Sequence, residues 1–95
     1  MSMTTMLFEN DTSLIRRQAW GQIFGSCIEK TREAGDRSIE QAAHLAGMEA
    51  SEWAAIEAGY VPTEASQLRS MAGALECGYD RIATMAVLCR DAWKQ

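Results

Sequence analysis

The stretch that decides the fold is "AAHLAGMEASEWAAIEAGYVP", residues 42–62. Gly47 divides it into two short helical segments, because a glycine can take the left-handed backbone that a sharp turn between helices needs. Ala43 is small, as it must be where two helices cross closely. The second segment runs from about Ala50 to Ala58 and closes on Gly59. Trp53 and Ile56 stand three residues apart on one face of it, which marks that face as buried. The opposite face carries Ser51, Glu52, Ala54, Ala55 and Ala58, with no Lys, Arg, Gln or Asn anywhere in the segment.

Outward from this stretch the chain reads as helices joined by short glycine-containing links. Ser38 with Gln41 forms a capping box that opens a helix over 38–46. On the C-terminal side, Thr63 is expected to cap a helix over 64–77 whose inward face is Leu68, Met71, Ala72 and Leu75, with Gly78 as its stop. Asp80 then caps a last helix over 80–93, with a stripe of Ile82, Met85, Ala86, Cys89 and Trp93. On the N-terminal side, Asp11, Thr12 or Ser13 caps a helix over 13–34 that ends at Gly35, and Trp20, Ile23, Phe24, Cys27 and Ile28 recur at three and four residues as its buried stripe. Residues 1–12 lack periodicity and are expected to form an irregular arm. The expectation is an all-α, five-helix single domain over 13–95.

Bulk properties limit the function. Ninety-five residues suffice for one core and no second domain. With 47% apolar and 23% charged residues the chain is composed like a globular protein rather than a disordered one. No apolar run approaches the roughly 18 residues needed to cross a bilayer, and "MSMTTMLFENDTS" has no signal-peptide pattern, so a cytoplasmic protein is expected. The three cysteines, Cys27, Cys77 and Cys89, are odd in number and widely spaced, which fits reduced core thiols and not a disulfide framework or a zinc site. His44 has no partner at a catalytic spacing, and no phosphate-binding loop or nucleophile motif is present. No catalytic residue, cofactor or metal is expected.

"SIEQAAHLAG", "MEASEWAAIEAG" and "PTEASQLRSMAGAL" together resemble the lambda-repressor-like helix-turn-helix family, the xenobiotic-response-element type, over about residues 20–78. The resemblance implies a five-helix DNA-binding domain with the helix-turn-helix at helices 2 and 3, and a role as a DNA-binding transcriptional regulator. It also implies that Glu57 braces the motif through a polar contact. The residues the family uses on DNA would fall at Arg37, Ser38 and Ile39 beside the start of helix 2, and at Ala50, Ser51, Ala54 and Ala55 on helix 3.

At those positions the chain departs from the family. Ile39 stands where Gln is usual, Glu49 where a capping Ser is usual, and Ala50, Glu52, Ala54, Ala55 and Ala58 replace the customary polar readers, leaving Ser51. A bidentate base contact is worth roughly 1–3 kcal/mol of discrimination, and the alanines remove several. Between Ser38 and Asp80 seven acids face the single base Arg69, a net -6 within an overall -4. Arg16, Arg17, Lys30, Arg32 and Arg37 precede that region and are expected either to hold the DNA backbone, with Arg37 beside the helix N-terminus at Ser38, or to form a solvated face with Glu29, Glu33 and Asp36. The alternative to DNA reading is a protein-interaction module whose acidic third helix docks on another protein.

Two further expectations concern packing. Ala42 and Ala46 occupy family leucine positions and Trp53 an isoleucine or valine position, so the indole is expected to fill the space the alanines vacate. The stripe on the fifth helix is expected to serve a symmetric homodimer, with Ile82, Met85, Cys89 and Trp93 near its interface.

Overall fold

A computed structural model describes the backbone of residues 2–91 and the side chains of residues 15–90. Five helices follow one another: α1 (Ser2–Ala34), α2 (Ile39–Leu45), α3 (Ala50–Glu57), α4 (Ala65–Leu75) and α5 (Tyr79–Asp91). Among the described residues there is no strand, and no helix is long and apolar enough to cross a membrane.

Local chemistry accounts for the central boundaries. The Ser38 hydroxyl accepts the Gln41 backbone N–H at 3.1 Å, and the Ser38 N–H donates back to the Gln41 side chain at 2.8 Å, so α2 starts where its capping box lies. Gly47 has φ 68°, and the Met48 N–H returns to the Ala43 carbonyl at 2.8 Å. This left-handed turn satisfies the carbonyls at the end of α2 and reverses the chain into α3.

Several expected boundaries move. α1 is helical from Ser2, so the twelve residues read as an irregular arm belong to the helix, and Asp11, Thr12 and Ser13 lie inside it instead of capping it. Residues 2–20 contain no glycine or proline to interrupt the ladder. Apolar periodicity reports which face of a helix is buried, and its absence does not prevent a helix from propagating. The residue before α4 is Glu64, not Thr63, and the left-handed residues after α1 and α4 are Asp36 and Glu76 (φ 57° and 55°), not Gly35 and Gly78. Asp80 sits within the first turn of α5 rather than at its cap.

The core gathers Phe24 and Ile28 of α1, Ala42 and Ala43 of α2, Trp53 and Ile56 of α3, Leu68, Met71, Ala72, Ala74 and Leu75 of α4, and Ile82, Ala86 and Cys89 of α5. The inward face expected for α4 is buried in full. The stripe expected for α1 is not: Trp20 is 36% and Ile23 48% exposed. The helix is rotated so that Gly21 and Gly25 face inward beside Phe24 and Ile28. A Cβ at Gly21 would overlap the Gly59 carbonyl oxygen, and one at Gly25 would overlap that of Glu57. These glycines bring the backbone of α1 directly onto the C-terminal end of α3, an approach that no bulkier residue permits.

Trp53 is fully buried, as are Ala42 and Ala43, and Ala46 is nearly so. One large side chain on α3 and the methyl groups of Ala42 and Ala43 on α2 and of Ala46 at its C-cap thus share the interior between the two helices. Trp53→Ile is expected to lower unfolding free energy by roughly 2–4 kcal/mol, since the volume lost is not refilled. An unchanged urea midpoint would refute it. For the crossing, Gly21→Ala is expected to destabilise by about 1–3 kcal/mol through overpacking. Gly73→Ala, in α4 with nothing within 4 Å of the new methyl, should stabilise by about 0.5–1 kcal/mol through helix propensity. Equal melting shifts for the two would contradict the close crossing.

Candidate nucleic-acid interface

The outward face of α3 is held in place from behind. Arg32, near the end of α1, donates from Nε to Glu57 Oε2 at 2.6 Å and from Nη2 to Glu57 Oε1 at 3.1 Å, a bidentate pair. Trp53 Nε1–H donates to the same Oε2 at 2.6 Å. The third arm of the guanidinium, Nη1, donates to the Arg37 carbonyl at 2.8 Å. One side chain of α1 therefore fixes both the last turn of α3 and the residue leading into α2. The pair is largely removed from water, with side-chain exposures of 10% and 7%. The hydrogen bond to Glu57 raises the Arg32 pKa above its ordinary value, outweighing burial, so this charge is permanent. The sequence placed Arg32 among bases for a DNA backbone or a solvated face; the structure instead buries it as a brace, because only a planar fork meets Glu57 and the Arg37 carbonyl together.

With Trp53 and Ile56 inward and Glu57 braced, Ser51, Glu52, Ala54, Ala55 and Ala58 are exposed and Ala50 is half-buried. Ser51, Ala54 and Ala55 share one exposed face at spacings of three and four. The other three DNA candidates are consecutive at the approach to α2, where Arg37 and Ile39 are less open and Ser38 is exposed. Ile39 is half-buried against the core, and Ser38 is engaged with Gln41. Arg37 is half-buried with Nη2 3.4 Å from Glu76 Oε1. Glu76 is 76% exposed, and such a surface pair is worth about 0–1 kcal/mol, so Arg37 can exchange it for a phosphate at little cost.

Charge around the face is mixed. Arg69, the one base between Ser38 and Asp80, lies 4.8 Å over the Tyr79 ring. Arg17 lines a cleft with Gly59, Tyr60, Val61 and Thr63, just beyond the end of α3. Beside α3 itself runs a groove that the sequence pattern did not single out. Glu52, Ala55, Tyr60 and Gln67 line one part of it, and Met48, Glu64, Ser66 and Ser70 line its continuation. Tyr60 is 56% exposed there, although an aromatic residue in a link between helices reads most simply as packing. Only the tertiary structure brings Ser66, Gln67 and Ser70 of α4 to the edge of this region; that polar run was the available signal.

Two of the four residues expected at a dimer interface are not accessible. Ile82 and Cys89 are 1% and 4% exposed, inside the chain's own core, and Met85 is half-buried. Trp93 lies outside the described residues. The spacing of three and four describes a buried stripe equally well whether a copy or the domain itself covers it, and here α1 and α4 do. Burial first, and the neighbouring Cys27 second, push the Cys89 thiol above its ordinary pKa, which keeps it protonated and unreactive.

Glu57→Gln is expected to cost roughly 3–5 kcal/mol, since it leaves the Arg32 charge buried without its counter-charge. Chemical denaturation checks this, and a loss below about 1 kcal/mol would mean the pair is no brace. Compared with known proteins, the chain matches no protein-family model, no curated protein and no solved structure.

Proposed function

We propose that this chain is a DNA-binding transcriptional regulator of the lambda-repressor-like helix-turn-helix type, with α2 and α3 as the motif and an α3 that reads bases sparingly. The observation that carries the reading is the brace: Glu57, the residue from which the resemblance expects a bracing contact, accepts from both Arg32 and Trp53. That contact aims Ser51, Ala54 and Ala55 away from the domain, as a helix must be aimed to enter a major groove.

The chemistry of that face determines the mode of binding. Ser51 supplies one hydroxyl for a base edge, and Ala54 and Ala55 offer methyl groups suited to thymine. Glu52 opposes phosphate, a penalty on the order of 0.5–1 kcal/mol after screening. Specific binding ordinarily exceeds non-specific binding by about 4–10 kcal/mol, and this face supplies little of that directly. Recognition then rests on Arg37 and the other backbone contacts and on DNA shape.

A second reading, a protein-interaction module on the same scaffold, is favoured by the groove beside α3, where Glu52 and Glu64 accompany Tyr60 and Gln67. Fluorescence anisotropy separates the two. The full chain is titrated with a mixed-sequence duplex and with the DNA upstream of its own gene, at low salt and at about 0.2 M. The DNA reading expects binding that weakens steeply with salt and is weakened further by Arg37→Ala. Absence of binding at low salt would sink it in favour of the protein partner.

A further inference from the structure

α5 packs against both α1 and α4, and a cleft of about 70 Å³ opens where residues of the three helices meet. Its floor is apolar: Ile28 of α1, Leu75 of α4 and Ile82 of α5 are buried members of the core. Core side chains are held by close packing, so the floor is preformed and does not have to be ordered by a ligand. Thr31, Cys77, Arg81 and Met85, all at least partly exposed, stand round its rim. The Thr31 hydroxyl gives its proton to the Cys27 carbonyl at 2.8 Å, and a thiol is only a weak donor. Met85 is unbranched, a wall that adapts to what lies against it. Arg81 is therefore the one strong donor among the lining side chains, and no carboxylate lines the cleft. Arg32, Arg37 and Arg69 are each engaged with a side chain of the domain, whereas exposed Arg81 makes no hydrogen bond, ion pair or ring contact among the described residues.

We propose that this cleft binds a short aliphatic carboxylate, with its hydrocarbon end against Ile28, Leu75 and Ile82 and its carboxylate paired with the Arg81 guanidinium. The lining decides the chemical class. Small-molecule sites are mostly apolar, with a few placed polar groups that fix orientation. An apolar floor disfavours sugars and other polyols, whose hydroxyls would be buried without partners. A guanidinium at the rim selects an anion, and its planar fork matches the two oxygens of a carboxylate. The floor then favours an anion that carries a hydrocarbon group over a bare inorganic one. Size narrows the class further. The space is roughly half of the ~150 Å³ that holds a benzene ring, which suits a propyl or isopropyl group and excludes a long acyl chain. No residue of α2 or α3 lines the cleft, so the inference stands independently of the DNA reading.

Methyl NMR of the full chain, labelled at isoleucine and methionine and titrated with isovalerate to about 20 mM at constant ionic strength, tests it. The expected result is a saturable shift of the Ile28, Ile82 and Met85 methyls with Kd about 1 mM, as befits so small a ligand. Ile56, in the core on α3 and outside the cleft, should not move. Arg81→Gln is expected to weaken binding by about tenfold or more, and Arg81→Lys, which keeps the charge, by less. Isovaleramide, of the same shape without the charge, should bind the wild-type chain about tenfold more weakly than isovalerate, a comparison that needs no variant to fold. Three outcomes would overturn the proposal: no saturable shift by the end of the titration, shifts that include Ile56 as strongly as Ile82, or isovaleramide and isovalerate binding alike.

Discussion

The guanidinium of Arg32 reaches Glu57 with two of its nitrogens and the Arg37 carbonyl with the third, 25 and 5 residues along the chain. Trp53 completes the arrangement from inside α3. A buried ion pair is not in itself a strong source of stability, because desolvating two charges costs about as much as their attraction returns. Its value lies in direction. A planar fork with three engaged nitrogens tolerates one arrangement of its acceptors, so the end of α3 and the approach to α2 are oriented relative to α1 and to each other. No buried side-chain polar atom among the described residues lacks a partner, which is the condition under which such a network specifies one structure.

The rest of the architecture accommodates that brace. For Arg32 to reach Glu57, α1 must lie close against the C-terminal end of α3, and the absence of side chains at Gly21 and Gly25 makes this possible. The same close approach rotates Trp20 and Ile23 outward. The interior between α2 and α3 is filled by one indole against Ala42, Ala43 and Ala46, and the indole is also the second donor to Glu57. Packing and polar satisfaction thus meet at Trp53, so a change there acts on both.

The outward surfaces inherit their character from this arrangement. The α3 face is small, short of hydrogen-bonding groups and bordered by carboxylates, whereas bases such as Arg16, Arg17 and Lys30 remain on α1. A helix aimed outward with so little chemistry on it is a poor reader of individual bases, and its affinity for any partner depends on neighbours: Arg37 at the start of α2, Tyr60 after α3 and Gln67 on α4. The exposed Trp20 and Ile23 of α1 are the other consequence, since turning the glycines inward exposes what lies on the far side.

Much of this was legible in the sequence where the determining contacts are local. The Ser38–Gln41 box and the Gly47 turn involve residues at most a few positions apart, and the helices they delimit, like the inward face of α4, appear where the pattern places them. The role of Glu57 was readable only through the likeness to a known family, and its partners were not readable at all. What only the tertiary structure decided is everything that depends on the rotation of one helix against another: the outward Trp20 and Ile23, the burial of Ile82 and Cys89 within the chain, the groove at Tyr60, and the conversion of Arg32 from a candidate surface charge into a brace. The physical reason is that a period of three and four residues identifies a stripe but not what covers it. Bulky residues dominate such a stripe by eye, while the contact that sets the rotation was made by the two glycines that have no side chain to display.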